Sequence, residues 1–278
     1  MSTSIDSEDK SPLISELIAK SARVKILQMT HAARASHVGS ALSVVDILSV
    51  LYSGILDIAP SNSAAIDRDC VILSKGHSAA ALYAVLAIQD FFPETLLETY
   101  YQDGGVLGGH VTHEGKRGIE LSTGSLGHGL PYGIGVALSH KIANRNSRTV
   151  VIMSDGECNE GTTWESALFA QQLELKNLCV IIDRNRIQSL APTEETMALE
   201  PFASKWQAFN WEVKTINGHS HQELIDALAE VEKPLCIIAE TTKGKGVSFM
   251  ENSVLWHYRP PNEQELLDAL DEIVNSTL

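Results

Sequence analysis

The sequence has few of the features that mark a disulfide-rich or secreted protein. Among its 278 residues there are only four cysteines, which are widely separated and form no CxxC pair. This spacing argues against a disulfide framework and favours reduced thiols. The first ten residues are polar and contain no apolar core segment, so we expect no signal peptide and a cytoplasmic protein.

Positive charge and long apolar runs are also scarce. The chain has 21 Lys and Arg against 35 Asp and Glu, a formal net charge of −14. This excess argues against nucleic acid as a partner, because the phosphates would be repelled. A single diphosphate remains possible, since a local site of backbone N–H groups, histidines and a metal can override the global field. The longest apolar run, residues 43–56, contains Asp46 and Gly54 and is too short to span a bilayer.

What is present is typical of a large α/β domain. Hydrophobic residues make up 44% of the chain and charged residues 20%. Short apolar runs alternate with helical patterns, which predicts a three-layer α/β fold with a mostly parallel central sheet. We expect a polar tail at residues 1–12 and one domain over residues 13–278. The predicted strands are 70–74, 149–153, 178–182, 211–216 and 235–241, and the predicted helices are 13–35, 43–56 with Ser43 as N-cap, 78–90, 130–143, 160–173, 221–231 and 263–274.

Polar residues follow two consecutive predicted strands. Asp155 and Gly156 follow the first strand, and Asn185 follows the second. Ligands of parallel sheets bind at the carboxyl ends of strands, so the fold could bring these residues together. A carboxylate, an amide oxygen and a main-chain carbonyl would suit Mg²⁺ or Ca²⁺ carrying a diphosphate, and Gly156 would allow its close approach. The alternative is an ordinary strand-to-helix turn followed by an ordinary loop.

The pair resembles the signature of thiamine-diphosphate enzymes, a Gly-Asp-Gly turn followed after about thirty residues by an Asn. By this resemblance Asp155, Asn185 and the carbonyl of Ile187 are ligands of Mg²⁺ (or Ca²⁺), and Gly156 and Glu157 bind the cofactor. The chain departs from the pattern at the first glycine, where Ser154 stands.

Four histidines extend the resemblance to the transketolase family. They lie in Ser-His-Val-Gly, Lys-Gly-His, Gly-Gly-His and Leu-Trp-His settings, the third within a long glycine-rich stretch at residues 102–129. Singly, each is typical of a structural or surface histidine. In order, they match the histidines that line the family's substrate channel and cofactor diphosphate: His37, His77, His110 and His257.

The resemblance covers residues 20–260 and implies roles for these side chains. We expect His77 and His257 near the diphosphate and reacting carbon, and His37 and His110 on the oxygens of the donor. Imidazole can donate or accept a proton near neutral pH. The segment Gly124, Ser125 and Leu126 would border the aminopyrimidine. Departures at His128, where the family has Gln, and at Ser36 and Val38 leave the detailed substrate geometry open.

By this resemblance the catalytic glutamate would come from a second, pyrimidine-binding domain, which we expect to lie on another polypeptide. The resemblance therefore implies a thiamine-diphosphate-binding fold of the diphosphate-binding (PP) type over residues 13–278. It also implies that the chain is the N-terminal, diphosphate-binding subunit of a split transketolase, which would form an α2β2 assembly with a C-terminal subunit. Glu160 would contact that partner, or would simply favour the helix dipole. The expected reaction moves a two-carbon ketol unit from a ketose or ketose phosphate to an aldose. Alternatives are transfer to a lipoyl or carrier-protein thiol, a deoxyxylulose-type condensation, or a non-catalytic cofactor-binding subunit.

Overall fold

A parallel sheet forms the centre of the protein in a computed structural model that describes residues 13–229 and 232–276. The strand order is β1-β2-β3-β5-β4, and every neighbouring pair is parallel. The predicted parallel sheet is thus confirmed, while the predicted tail at residues 1–12 lies outside the described residues. The strands are β1 Cys70–Leu73, β2 Thr149–Ser154, β3 Leu178–Arg184, β4 Glu212–Asn217 and β5 Leu235–Glu240.

Helices cover both faces of the sheet. The predicted helix at residues 221–231 ends at Ala227, and its last two predicted residues lie outside the described part of the chain. A short helix that was not predicted, Phe202–Ala208, is anchored by the buried side chains of Phe202 and Trp206. The helices are α1 Ile14–Ala32, α2 Val38–Val50, α3 Ala79–Ile88, α4 Gly129–Ile142, α5 Gly161–Gln172, α6 Thr193–Thr196, α7 Phe202–Ala208, α8 His221–Ala227, α9 Leu255–Tyr258 and α10 Glu263–Asn275.

Alternating strand residues supply two separate hydrophobic cores. Val150 and Ile152 of β2 pack with side chains of α1, α2 and α3 on one face. Val151 and Met153 of the same strand pack with α4, α5 and α7 on the other. Because successive side chains of a strand point to opposite faces, a strand buried on both sides must be apolar throughout. This explains the continuous apolar runs and produces the expected three layers.

Helix α2 begins earlier than its sequence pattern predicts. Its first residue is Val38, and Ser43 is fully buried in its second turn, where the hydroxyl donates a hydrogen bond to Asp183 Oδ2 at 2.5 Å. The assignment of Ser43 as N-cap is therefore wrong, because this hydroxyl serves a partner on the sheet. The stretch Val38–Ile55 is apolar and long enough to cross a membrane, but 83% of it is buried inside the protein, as in a core helix.

Candidate active site

The four histidines predicted from the sequence converge on one cavity of about 250 Å³. His37 is central to this histidine cluster. Its ring centroid lies 5.4 Å from that of His77, 5.6 Å from that of His110 and 4.9 Å from that of His257. Residues more than 200 positions apart in the chain thus form one lining, and the sequence-based grouping is matched by the geometry.

Four different segments carry these rings to the cavity. His77 lies in a single turn after β1, His257 in α9, and His110 in the stretch between Thr99 and Gly129, which within the described residues contains no helix or strand. His37 sits directly before α2 with a left-handed backbone (φ 73°), and its N–H donates to the carbonyl of His257 at 2.8 Å. A non-glycine residue in this conformation costs energy and is common at functional sites.

Three rings of the histidine cluster, those of His37, His77 and His257, are uncharged at neutral pH. Burial, followed by the charges of His110 and Lys243, lowers the pKa of His37 to about 4. Burial and Lys243 lower the pKa of His257 to about 3, and burial places the pKa of His77 well below its ordinary value. A neutral imidazole offers one donor and one acceptor, so the cluster can exchange hydrogen bonds with the hydroxyl and carbonyl oxygens of a sugar.

The predicted metal ligands lie along the same cavity. Asp155 follows β2, and Asn185 and Ile187 follow β3, so the parallel sheet places all three at one edge. Asp155 is 1% exposed, and its Oδ2 accepts hydrogen bonds from the Arg186 N–H at 2.6 Å and from Arg184 Nη1 at 3.2 Å.

This donor set fits a hard divalent cation. Its atoms would be a carboxylate oxygen of Asp155, the amide oxygen of Asn185 and the carbonyl oxygen of Ile187, which are ligands of the type that Mg²⁺ and Ca²⁺ prefer. Burial, followed by the charge of nearby Asp183, raises the pKa of Asp155. Arg184 and two backbone N–H groups offset part of this effect, and a bound cation would further favour the ionised carboxylate.

Lys243 is a site residue that sequence reasoning missed. Its side chain is 1% exposed, and Nζ lies 3.0 Å from the carbonyl oxygen of Ile187 and 2.9 Å from Nδ1 of His257. Burial and the neighbouring Lys75 lower its pKa to about 8. The only sequence signal was its Lys-Gly-Lys-Gly setting after β5. Ser40, Gln188 and Ser189 also line the cavity and were not predicted.

Only some of the predicted residues of the glycine-rich segment line the cavity. Gly124 and Leu126 line it, whereas Ser125 is exposed and does not. The loop lies so close to the end of β1 that a Cβ on Gly76 would stand 2.3 Å from the carbonyl oxygen of Thr123. Only glycine permits this approach.

Glu157 does not line the cavity either. It is fully buried and accepts hydrogen bonds from Ser74 Oγ, from the Gly127 N–H at 2.9 Å and from the Ser154 N–H at 3.2 Å. The predicted role of Glu157 in binding the cofactor stays a prediction, and its carboxylate is directed into the protein, where it ties the glycine-rich segment to β1 and β2. Glu160 is exposed at the start of α5.

Comparison with known proteins decides the family. Residues 14–272 match the family described as "Transketolase, thiamine diphosphate binding domain". The chain belongs to the transketolase family. It is 38% identical over 93% of its length to one of the subunits of the apulose-4-phosphate transketolase of Phocaeicola vulgatus, and it covers 93% of that relative. It is 37% identical over 85% of its length to the 6-deoxy-6-sulfo-D-fructose transketolase subunit SqwG of Clostridium sp., of which it covers 88%.

A solved transketolase shares the fold. The crystal structure of Campylobacter jejuni transketolase superposes with a TM-score of 0.88 at 28% identity over 95% of this chain. The chain spans 43% of the length of that transketolase. The thiamine-diphosphate-binding fold predicted from the sequence is thus confirmed, while the roles of individual residues remain predictions.

Proposed function

We propose that this chain is the diphosphate-binding subunit of a two-part transketolase that moves a two-carbon ketol unit from a ketose donor to an aldose acceptor. The observation that carries the proposal is the meeting, in one cavity, of the candidate metal ligands Asp155, Asn185 and Ile187 with the histidine cluster. The subunit relatives are named for apulose 4-phosphate and for 6-deoxy-6-sulfo-D-fructose. We infer a ketose or ketose phosphate as donor here, and a cytoplasmic location.

Thiamine diphosphate, when bound, supplies the nucleophilic carbon for cleaving and forming carbon–carbon bonds. The chain's residues would hold it through the diphosphate. Asp155, Asn185 and the Ile187 carbonyl would bind Mg²⁺ or Ca²⁺, which neutralises the phosphate oxygens. The Lys243 ammonium would donate to a phosphate oxygen, a strong charge-assisted hydrogen bond. Gly156 lines the cavity, and a Cβ on it would stand 2.9 Å from the side chain of Gln188, so a larger residue here would disturb the lining.

The histidine cluster would orient the donor and move its protons. We assign His37 and His110 to the donor's oxygens, and His77 and His257 to the region between the diphosphate and the reacting carbon. Because the rings of His37, His77 and His257 are neutral, each keeps an unprotonated nitrogen that can accept a hydrogen bond from a donor hydroxyl. Their lowered pKa values make them weak bases, so the hydroxyl proton would be shared in this hydrogen bond as the carbon–carbon bond breaks.

A partner subunit would complete the site. Helices α4 and α5 follow the cofactor-contacting segments and expose large apolar side chains: Tyr132 is 44% exposed, Leu168 62% and Phe169 53%. Exposed apolar surface of this kind marks interaction sites. We propose that a C-terminal transketolase subunit covers this partner face, contacts Glu160 and supplies the catalytic glutamate and pyrimidine-binding domain, in an α2β2 heterotetramer.

Calorimetry with the chain purified together with its partner tests cofactor binding. We expect thiamine diphosphate to bind only when Mg²⁺ or Ca²⁺ is present. Asp155→Asn should weaken binding by more than about 100-fold, because changes even to residues that only support a metal ligand cost about 10- to 100-fold. Asp271→Asn, which changes an exposed carboxylate on α10, is the matched control.

The same preparation tests the reaction. Ketol transfer from a ketose phosphate to an aldose phosphate should require both subunits together. Unchanged cofactor affinity in Asp155→Asn would refute the metal assignment, and full turnover by this chain alone would refute the two-part enzyme. Tight cofactor binding without turnover on any ketose would point to a non-catalytic subunit.

A further inference from the structure

A second cluster of charged side chains lies outside the active-site cavity. Its centre is Asp46 of α2, which is 4% exposed. The Asp46 carboxylate accepts hydrogen bonds from Arg23 at 2.6 and 3.0 Å, from His219 Nδ1 at 2.7 Å and from His221 Nε2 at 3.1 Å. These four residues line a separate cavity of about 290 Å³, and none of them lines the active-site cavity.

His219 links this cluster to the main chain of the loop that follows β5 and carries Lys243. Its Nε2 accepts a hydrogen bond from the Thr242 N–H at 2.8 Å. A backbone N–H can only donate, so Nε2 must be the unprotonated nitrogen of the ring. The proton is therefore on Nδ1, where it is donated to Asp46. Two partners on opposite sides thus define both the tautomer and the orientation of the imidazole.

Thr242 directly precedes Lys243, the cation of the active-site cavity. The adjoining main chain is held at two further points, because the Gly244 N–H donates to the Gly39 carbonyl at 2.9 Å and Arg23 Nε donates to the Lys245 carbonyl at 3.3 Å. The loop is thus fixed before and after Lys243, and the lysine side chain extends from it into the active-site cavity.

We propose that Asp46 and His219 form a positioning unit that fixes the main chain at Thr242 so that the Lys243 ammonium reaches the diphosphate subsite. The identity of that ligand rests on the proposed function. A binding group must be held within about 0.5 Å of its productive position, and supporting hydrogen bonds provide this. Arg23 supports this unit at two points, because its Nη1 and Nη2 donate to the Asp46 carboxylate and its Nε donates to the Lys245 carbonyl.

Two substitutions at His219 separate its two hydrogen bonds. In His219→Asn the side-chain amide takes the place of Nδ1, so it can still donate to Asp46 but ends short of Thr242. In His219→Gln the longer amide reaches the place of Nε2, so its oxygen can still accept from the Thr242 N–H. If the acceptor toward Thr242 is what positions Lys243, the Asn variant should be impaired and the Gln variant should resemble wild type.

The first readout requires no cofactor. The full chain is treated with a small acylating reagent, and the modification rates of individual lysines are followed by mass spectrometry. We expect Lys243 to react several-fold faster in His219→Asn, because its ammonium leaves a buried position. Lys75, which is fully buried and pairs with Asp183, is the internal reference and should stay protected.

The second readout is the dissociation constant of thiamine diphosphate with Mg²⁺, measured by calorimetry on the chain with its partner subunit. His219→Asn should weaken binding roughly tenfold, as is usual when a residue that orients a ligand-binding group is lost. His219→Gln should restore most of the affinity.

The outcomes separate this inference from the proposed function. The positioning role would be overturned if Lys243 reacted in His219→Asn at the wild-type rate. It would also be overturned if the substitution raised the labelling rates of Lys243 and Lys75 equally. If the wild-type complex binds no thiamine diphosphate, the proposed function fails, but the labelling of Lys243 still decides whether His219 positions this lysine.

Discussion

Removing one charge from the ion pair beneath the active site should destabilise the whole domain. Lys75 follows β1 and Asp183 is the penultimate residue of β3, and their side chains form an ion pair in which both are 0% exposed. Asp183 also accepts hydrogen bonds from Ser43 and Thr241. Asp183→Asn keeps the size of the side chain and part of this hydrogen bonding, but it leaves the Lys75 ammonium buried without a counter-charge.

The expected loss follows from burial. Breaking a buried ion pair by removing one partner costs about 3–5 kcal/mol, because the remaining charge is no longer compensated. For a domain of this size, 1 kcal/mol corresponds to about 2–4 °C in Tm, so the melting temperature should fall by roughly 6–20 °C. Replacing both members by uncharged residues, Lys75→Met with Asp183→Asn, should recover most of the loss, since a buried pair contributes little relative to uncharged residues that pack equally well.

The assay is thermal unfolding of the two variants and wild type by calorimetry, with urea unfolding to obtain the free energy of unfolding. A change in Tm of less than about 2 °C for Asp183→Asn would refute the reasoning. So would a double variant that is less stable than the single one, because the two substitutions would then not share one interaction.

Two further substitutions test other parts of the structure. Burial alone would raise the carboxyl pKa of Asp46, but Arg23 and two histidines hold this pKa well below its ordinary value. The ionised Asp46 carboxylate therefore stabilises the folded state fully above its unfolded-state pKa, and this stabilisation is lost as the pH falls through the lower folded-state pKa. Asp46→Asn should lower the free energy of unfolding in urea by about 3–5 kcal/mol near neutral pH, and this difference from wild type should shrink below about pH 4. Gly76→Ala should displace the loop at Thr123 and weaken binding of thiamine diphosphate measured by calorimetry, at a cost of about 1–3 kcal/mol. Gly135→Ala on α4 is its control, because a Cβ there meets no atom within 4 Å, and equal losses in both variants would contradict the steric argument.

Much of the fold was predictable because burial leaves a clear pattern. Strands covered on both faces must be apolar throughout, so β2, β3 and β5 were recognisable from short continuous runs. The start of α2 was not, because Ser43 resembles a helix cap and nothing local indicates that its hydroxyl bonds Asp183, 140 residues away. Helix α7 was missed because seven residues carry too little periodicity.

The site residues, too, include some that the sequence could predict and some that it could not. Asp155 and Asn185 follow strands directly, so their meeting could be predicted from strand ends alone. The histidine cluster required a known family pattern, because four separate segments carry its members. Glu157 shows the limit of this reasoning, since its place in the motif suggested cofactor contact and only the packing of the loop beside Ser74 turns it inward.

By itself, the sequence determined the chemistry and the order of the parts: an apolar parallel sheet, oxygen-bearing side chains at strand ends and histidines in recognisable settings. Tertiary structure alone decided which side chains share one environment. Lys243 has no periodicity or spacing that marks it, yet the fold buries it between Ile187 and His257. The neutrality of His37, His77 and His257 is likewise a consequence of burial and neighbouring cations, and these exist only once distant segments have packed together.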